Sequence, residues 1–153
     1  MIKTEIVLQY EGMGKFNMYK LNNKDFTLGN YSDEFIQANF KEFKIIYNKI
    51  YSNGCHVCFN YALRLPFLLY VEDTVDYLLE HYKQIKLKNI CKGDIIAFSD
   101  DCNFLHFAKV FKTGKDITDI VIRAKFGHCG IYEHRLINTP SDFGDRFIIF
   151  RNS

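Results

Sequence analysis

Apolar residues follow two different rhythms along this chain. From Phe35 to Ile50 they recur at three- and four-residue spacing (Phe35 and Ile36, Phe40, Phe43, Tyr47, Ile50), the period of one face of a helix. Ser32-Asp33-Glu34 supplies an N-cap and an acidic first turn, and Ser52-Asn53-Gly54 a stop. The spacing therefore predicts an amphipathic helix over 33–51. A second helix is expected to begin near Cys55–Cys58 and to pass through Tyr61 and Leu63 before Pro66. A third, over 72–84, follows from Val71, Val75, Leu78, Leu79 and Tyr82, with Glu72, Asp73 and Asp76 suited to a helix N-terminus. Beyond Gly93 the rhythm changes. DIIAF, FLHFAKVF, ITDIVIRAKF and RFIIFR are rich in Ile, Val and Phe and bounded by Gly, Asp and Asn, as strands are. FLHFAKVF and DIVIRAKF flank the turn-rich KTGKD, which predicts an antiparallel hairpin. Near the N-terminus, IVLQY and FNMYKL read as short strands within an extended, β-rich piece over 1–31. Helices followed by a run of antiparallel strands make an α+β arrangement.

Composition fits one globular domain spanning 1–153. Of 153 residues, 48% are hydrophobic, 16% aromatic and 25% charged, enough to bury a substantial core. The net charge is +2 and the two signs are interleaved, which argues against a nucleic-acid partner or a polybasic membrane patch. MIKTEIVLQYEG lacks the apolar stretch of a signal peptide, and the run from Leu65 to Val71 is too short to span a bilayer. With five cysteines, an odd number, a reducing compartment follows. The default location is the cytoplasm, with leaderless export also open.

The chemistry concentrates in residues 53–66, NGCHVCFNYALRLP. Three readings compete for Cys55 and Cys58. A structural zinc site needs four ligands, usually two close pairs. Cys55 and Cys58, with His56, make one pair, but Cys91, Cys102 and Cys129 are scattered singly. A thioredoxin-like redox pair follows a strand in a βαβ setting, and none surrounds this CxxC. The third reading is a nucleophilic thiolate at the start of a helix, with a base brought from elsewhere in the chain. Among the five histidines, His81 sits in a polar helix and His56 on the cysteine segment itself, whereas His106 stands at the head of the apolar strand LHFAKV. A histidine in that position is ordinarily structural unless something else points at it.

The order of the segments does point at it. C58-F-N-Y-A-L, then G93-D-I-I-A-F, then H106-F-A-K-V, then V121-I-R-A-K-F-G resembles the NlpC-type and CHAP-type papain-like cysteine hydrolases over residues 54–151. The tail AKFGHCGIYEHRLINTPSDFGDRFIIFR is similar to an ending found in that group. The resemblance implies a papain-like (NlpC-type) α+β fold, with N-terminal helices packed on an antiparallel sheet and a catalytic core over 54–151. It implies Cys58 as nucleophile, because Cys58 precedes the Tyr-Ala-Leu run, and His106 as base, with Cys55 as the alternative nucleophile. Candidates for a third, orienting residue are Lys125, His128, His134 and Asp101, with Asp100 beside it. Pairing of the two hairpin strands would set His106 opposite Arg123 to Lys125, and neither Arg nor Lys can accept the imidazole proton. The oxyanion hole would combine the Cys58 backbone N–H with His56 or Asn53. Tyr61, Tyr70, Phe104 and Phe107 would line a cleft or pack in the core.

The implied activity is peptidase or amidase chemistry through an acyl-enzyme on peptide-like bonds, including peptidoglycan-derived peptides, with no metal or organic cofactor. Deamidation or transacylation could use the same site. The alternative from another class is a catalytically silent module that binds a protein partner or inhibitor, or serves in immunity.

Overall fold

The computed structural model describes residues 2–5, 9–10, 14–15, 18–23, 25–29, 32–47, 58–64, 77–100, 104–127 and 129–152. Two runs, Ile95–Ser99 and Phe147–Phe150, hold four or more consecutive residues that are all buried. A strand reads this way only when both faces of its sheet are covered, and these runs lie at the centre of the molecule. The strands in chain order are β1 (Ile2–Glu5), β2 (Gln9–Tyr10), β3 (Gly14–Lys15), β4 (Met18–Leu21), β5 (Lys44–Tyr47), β6 (Tyr82–Ile85), β7 (Ile95–Ser99), β8 (Phe104–Lys112), β9 (Val121–Lys125), β10 (Ile131–Arg135) and β11 (Arg146–Asn152). Nine of them form one antiparallel sheet in the order β1-β4-β11-β7-β8-β9-β10-β5, with β6 also pairing with β11. β2 and β3 pair separately.

The expected papain-like α+β fold with N-terminal helices packed on a sheet is therefore corrected. The described chain is dominated by antiparallel sheet, and its α-helices are short: α1 (Asp33–Asn39), α2 (Cys58–Leu63) and a helical segment over 77–81. None of the described helices is long and apolar enough to cross a membrane. The N-terminal strands are part of the main sheet, since β4 pairs with β11 through Arg146↔Lys20 and Phe147↔Tyr19.

The helix expected over 33–51 starts as read and ends early. Ser32 caps it, its side chain accepting from the Phe35 N–H at 3.2 Å. It stops at Phe40, whose backbone leaves helical geometry (φ −128°, ψ 83°). The Phe43 N–H bonds to the Phe40 carbonyl at 3.1 Å, and the chain then runs into β5 at the sheet edge. The three-residue spacing of Phe40 and Phe43 serves a turn here. Their rings stack on each other at 5.6 Å and both meet Phe26, at 5.6 and 5.8 Å, in one aromatic cluster. The helix expected over 72–84 is helical over 77–81 and becomes β6 at Tyr82; residues 72–76 lie outside the described residues.

The hairpin formed by FLHFAKVF and DIVIRAKF is present as β8 and β9. Strand β10, which the apolar rhythm did not reveal, pairs with β9 along its length. The Gly93-Asp94 step is a structural clamp. Gly93 has φ +95°, and the buried Asp94 carboxylate takes the Cys91 N–H at 2.8 Å and both Nε and a terminal nitrogen of Arg151, at 2.7 and 2.9 Å. This ties the start of β7 to the end of β11.

Side chains alternate between two faces along the central strands. Ile96, Phe98, Ala108, Val110, Ile122, Ala124, Phe126, Tyr132, Phe147 and Ile149 belong to one core, covered by α1, the Phe26–Phe43 cluster and the 136–143 segment. Ile95, Ala97, Phe104, Phe107, Ile148 and Phe150 belong to the other, covered by Ala62 and Leu63 of α2 and by Leu78.

Candidate functional site

Cys58 is the first residue of α2, half-buried, and packs against the second of these cores. The same core takes Phe104 and Phe107, so both are packing residues, while Tyr61 on α2 stays half-exposed. Cys55, His56, Asn53, Tyr70, Asp101 and His128 lie outside the described residues. Among the described residues, no three His, Cys, Asp or Glu side chains converge as a metal site would require.

His106 is on the other face. It pairs across β7 with Phe98. Its ring stacks on Phe143 at 3.9 Å and contacts Phe98 and Phe126 at 5.7 and 5.8 Å, all three of them members of the first core. The side chain is 1% exposed, and its Nε2 has no hydrogen-bond partner among the described residues. Burial, helped by the charge of His134, pushes its pKa down to about 3, so the imidazole is neutral at ordinary pH. The expected Cys58–His106 dyad is corrected on this ground: the sheet separates the thiol from the imidazole. The expected register shifts as well, because Lys109, not His106, pairs with Arg123.

The remaining candidates divide the same way. His134 is buried in the first core beside Phe43 and Phe126, its Nδ1 bonded to the Arg135 carbonyl at 2.8 Å and its Nε2 unpartnered among the described residues. Burial holds its pKa at about 4. It is a core histidine without a route to Cys58.

Lys125 is different. Along β9, Ile122 and Ala124 enter the first core, which turns Arg123 and Lys125 to the face that α2 covers. Arg123 pairs with Glu133 at 2.9 Å and lies over the Phe111 ring at 3.6 Å. Lys125 is 2% exposed, and its Nζ donates to the carbonyls of Gly127 (3.0 Å) and Cys129 (2.6 Å). Burial lowers its pKa from the ordinary lysine value, against the opposing pull of Cys129, Asp33 and Cys58. Because α2 packs on β9, Cys58 at the start of α2 and Lys125 at the end of β9 belong to the same face of the sheet, and an ammonium near a thiolate favours the charged pair. Burial first, then the negative charge of Asp33, pushes the Cys129 thiol up, which leaves it the more inert sulfur.

Two residues of this cluster carried no signal as site residues in the sequence. Asp33 accepts from the Gly130 N–H at 2.9 Å and from the Tyr132 hydroxyl. Tyr132 is wholly buried, and burial together with that hydrogen bond raises its phenol pKa. An acidic residue just after an N-cap serine reads as helix capping, which conceals a second role.

Comparison with known protein families, curated proteins and solved structures found no match. The likeness to NlpC-type hydrolases rests on the motifs alone.

Proposed function

We propose that this protein is a thiol acyl-transfer enzyme, a cysteine peptidase or amidase for peptide-like amides, whose nucleophile is Cys58 and whose charge partner is Lys125. The observation that carries the reading is a placement: the half-buried Cys58 begins α2, and α2 packs on β9, the strand that ends at the buried Lys125. A lysine lowered by burial can accept the thiol proton, the role it plays in Ser–Lys hydrolases. The resulting thiolate attacks the amide carbonyl, forming the C–S bond. The C–N bond then breaks as the leaving amine takes the proton from Lys125. Water attacks the thioester, passing a proton to the Lys125 amine, and the C–S bond breaks to release the acid and restore Cys58.

A second reading, a silent binding module, is favoured by one observation: Lys125 is already held by two backbone carbonyls, as a purely structural lysine would be.

Iodoacetamide labelling with mass mapping separates the two. Cys58 is expected to alkylate at least tenfold faster than Cys91 at pH 7, and Lys125→Met to slow it about tenfold, the scale of losing one adjacent charge. His106→Phe is expected to leave the rate within about twofold, since the sheet separates the two residues. Uniform, slow labelling of all five thiols would sink the enzyme reading and leave the binding module.

A further inference from the structure

The Cys129–Gly130 peptide group lies between two opposite charges. Its carbonyl accepts from the Lys125 ammonium at 2.6 Å, and its N–H donates to the Asp33 carboxylate at 2.9 Å. The same carboxylate oxygen takes the Tyr132 hydroxyl, which anchors it to β10, next to β9 in the sheet. The turn that carries this peptide is closed by its own bonds, Cys129 N–H to the Phe126 carbonyl at 2.8 Å and Phe126 N–H to the Gly130 carbonyl at 3.1 Å. A carboxylate on the N–H end of a peptide polarises it, making its carbonyl a stronger acceptor for a cation at the other end. Asp33 therefore reaches Lys125 without touching it.

Resting on the Cys58–Lys125 reading, we infer that Asp33 is a positioning residue, holding the Lys125 ammonium, through the Cys129–Gly130 peptide, on the face of β9 that α2 covers. The charge of Asp33 also favours the protonated form of Lys125. The contact spans 97 residues of chain, so α1 becomes part of the site by way of one carboxylate.

The test uses the full chain with Asp33→Ala and Asp33→Asn, each checked for an unchanged thermal midpoint, and two labels. Asparagine keeps an oxygen for Gly130 and Tyr132, and alanine removes it. For Cys58 alkylation at pH 7, Asp33→Ala is expected to lose about the tenfold that Lys125→Met loses, while Asp33→Asn, which keeps the oxygen but not the charge, is expected to lose less than Asp33→Ala. The Asp33→Ala/Lys125→Met double variant should be no slower than Lys125→Met alone, as residues acting through one another require. Independently, acetic anhydride should modify Lys125 about fivefold faster in Asp33→Ala than in wild type. Wild-type alkylation at Cys58, or a double variant whose losses multiply, overturns the inference. Slow Cys58 in the wild-type protein defeats the thiol reading itself, and the amine label still decides whether Asp33 holds Lys125: unchanged modification in Asp33→Ala overturns that hold.

Discussion

Acidification from pH 6.5 to pH 5 should cost this fold about 3 kcal/mol, before carboxylates of ordinary pKa begin to protonate. His106 and His134 cause it. Both are buried neutral in one aromatic core, with folded-state pKa values of about 3 and about 4, against about 6.5 in an unfolded chain. Below pH 6.5 the unfolded state therefore binds protons that the folded state refuses. Stability from these groups is complete above pH 6.5 and is lost as the pH falls towards their folded values. Each histidine contributes up to about 1.4 kcal/mol per pH unit in that window. By pH 4 the loss is on the order of 5 kcal/mol, comparable with the whole stability of many domains. Urea midpoints measured at pH 8, 6.5, 5.5 and 5 check the slope. His106→Phe keeps a ring against Phe143 and removes the unpartnered Nε2, which costs about 1–3 kcal/mol where it is buried. That variant should match or exceed the wild type at pH 7 and lose about half the acid slope, and adding His134→Phe should remove most of the remainder. An acid slope unchanged in the double variant would assign the effect to other groups.

The same two histidines show what the sequence could tell and what it could not. DIIAF and RFIIFR were legible as strands, and the structure shows them buried on both faces near the centre of the sheet. Ser32 announced its cap, and the helix beginning at Cys58 lies within the expected start. The face that His106 occupies was not legible. Strand pairing shifts register between Phe98 and Ser99: Phe98 faces His106, but Ser99 faces Phe104. One extra residue, the exposed Leu105, is accommodated there. A bulge of one residue reverses which side chains enter which core, so Phe104 and Phe107 share a face three positions apart and His106 takes the opposite one. Strand β10 was missed because IYEHR mixes charged and apolar residues, with Glu133 satisfied by Arg123 across the pair. Lys125 was legible only as a possible orienting residue. Its place on the face that α2 covers follows from the hairpin register.

Gly144→Ala should lower stability by more than about 3 kcal/mol. Gly144 joins the 141–143 turn to β11 with φ 106° and ψ 162°, a conformation that only glycine adopts readily. A Cβ placed there would stand 2.3 Å from the Ser99 carbonyl oxygen and 2.6 Å from its carbon. Both are backbone atoms of a central strand, so no side chain can rotate away to make room. The Gly144 carbonyl is also held by the Asn23 amide at 3.1 Å, and the preceding Phe143 stacks on His106. Relief of the clash must therefore move either β7 or the ring that covers His106. For a domain of this size each kcal/mol lowers the melting temperature by about 2–4 °C, so the expected fall is about 10 °C. Gly93→Ala is the control, because Gly93 also has a positive φ (+95°) but open space where its Cβ would be. It should cost only backbone strain, about 1–2 kcal/mol. Thermal melts of the two variants decide between strain and collision. If Gly144→Ala melts no lower than Gly93→Ala, the close approach of Gly144 to Ser99 does not constrain the fold.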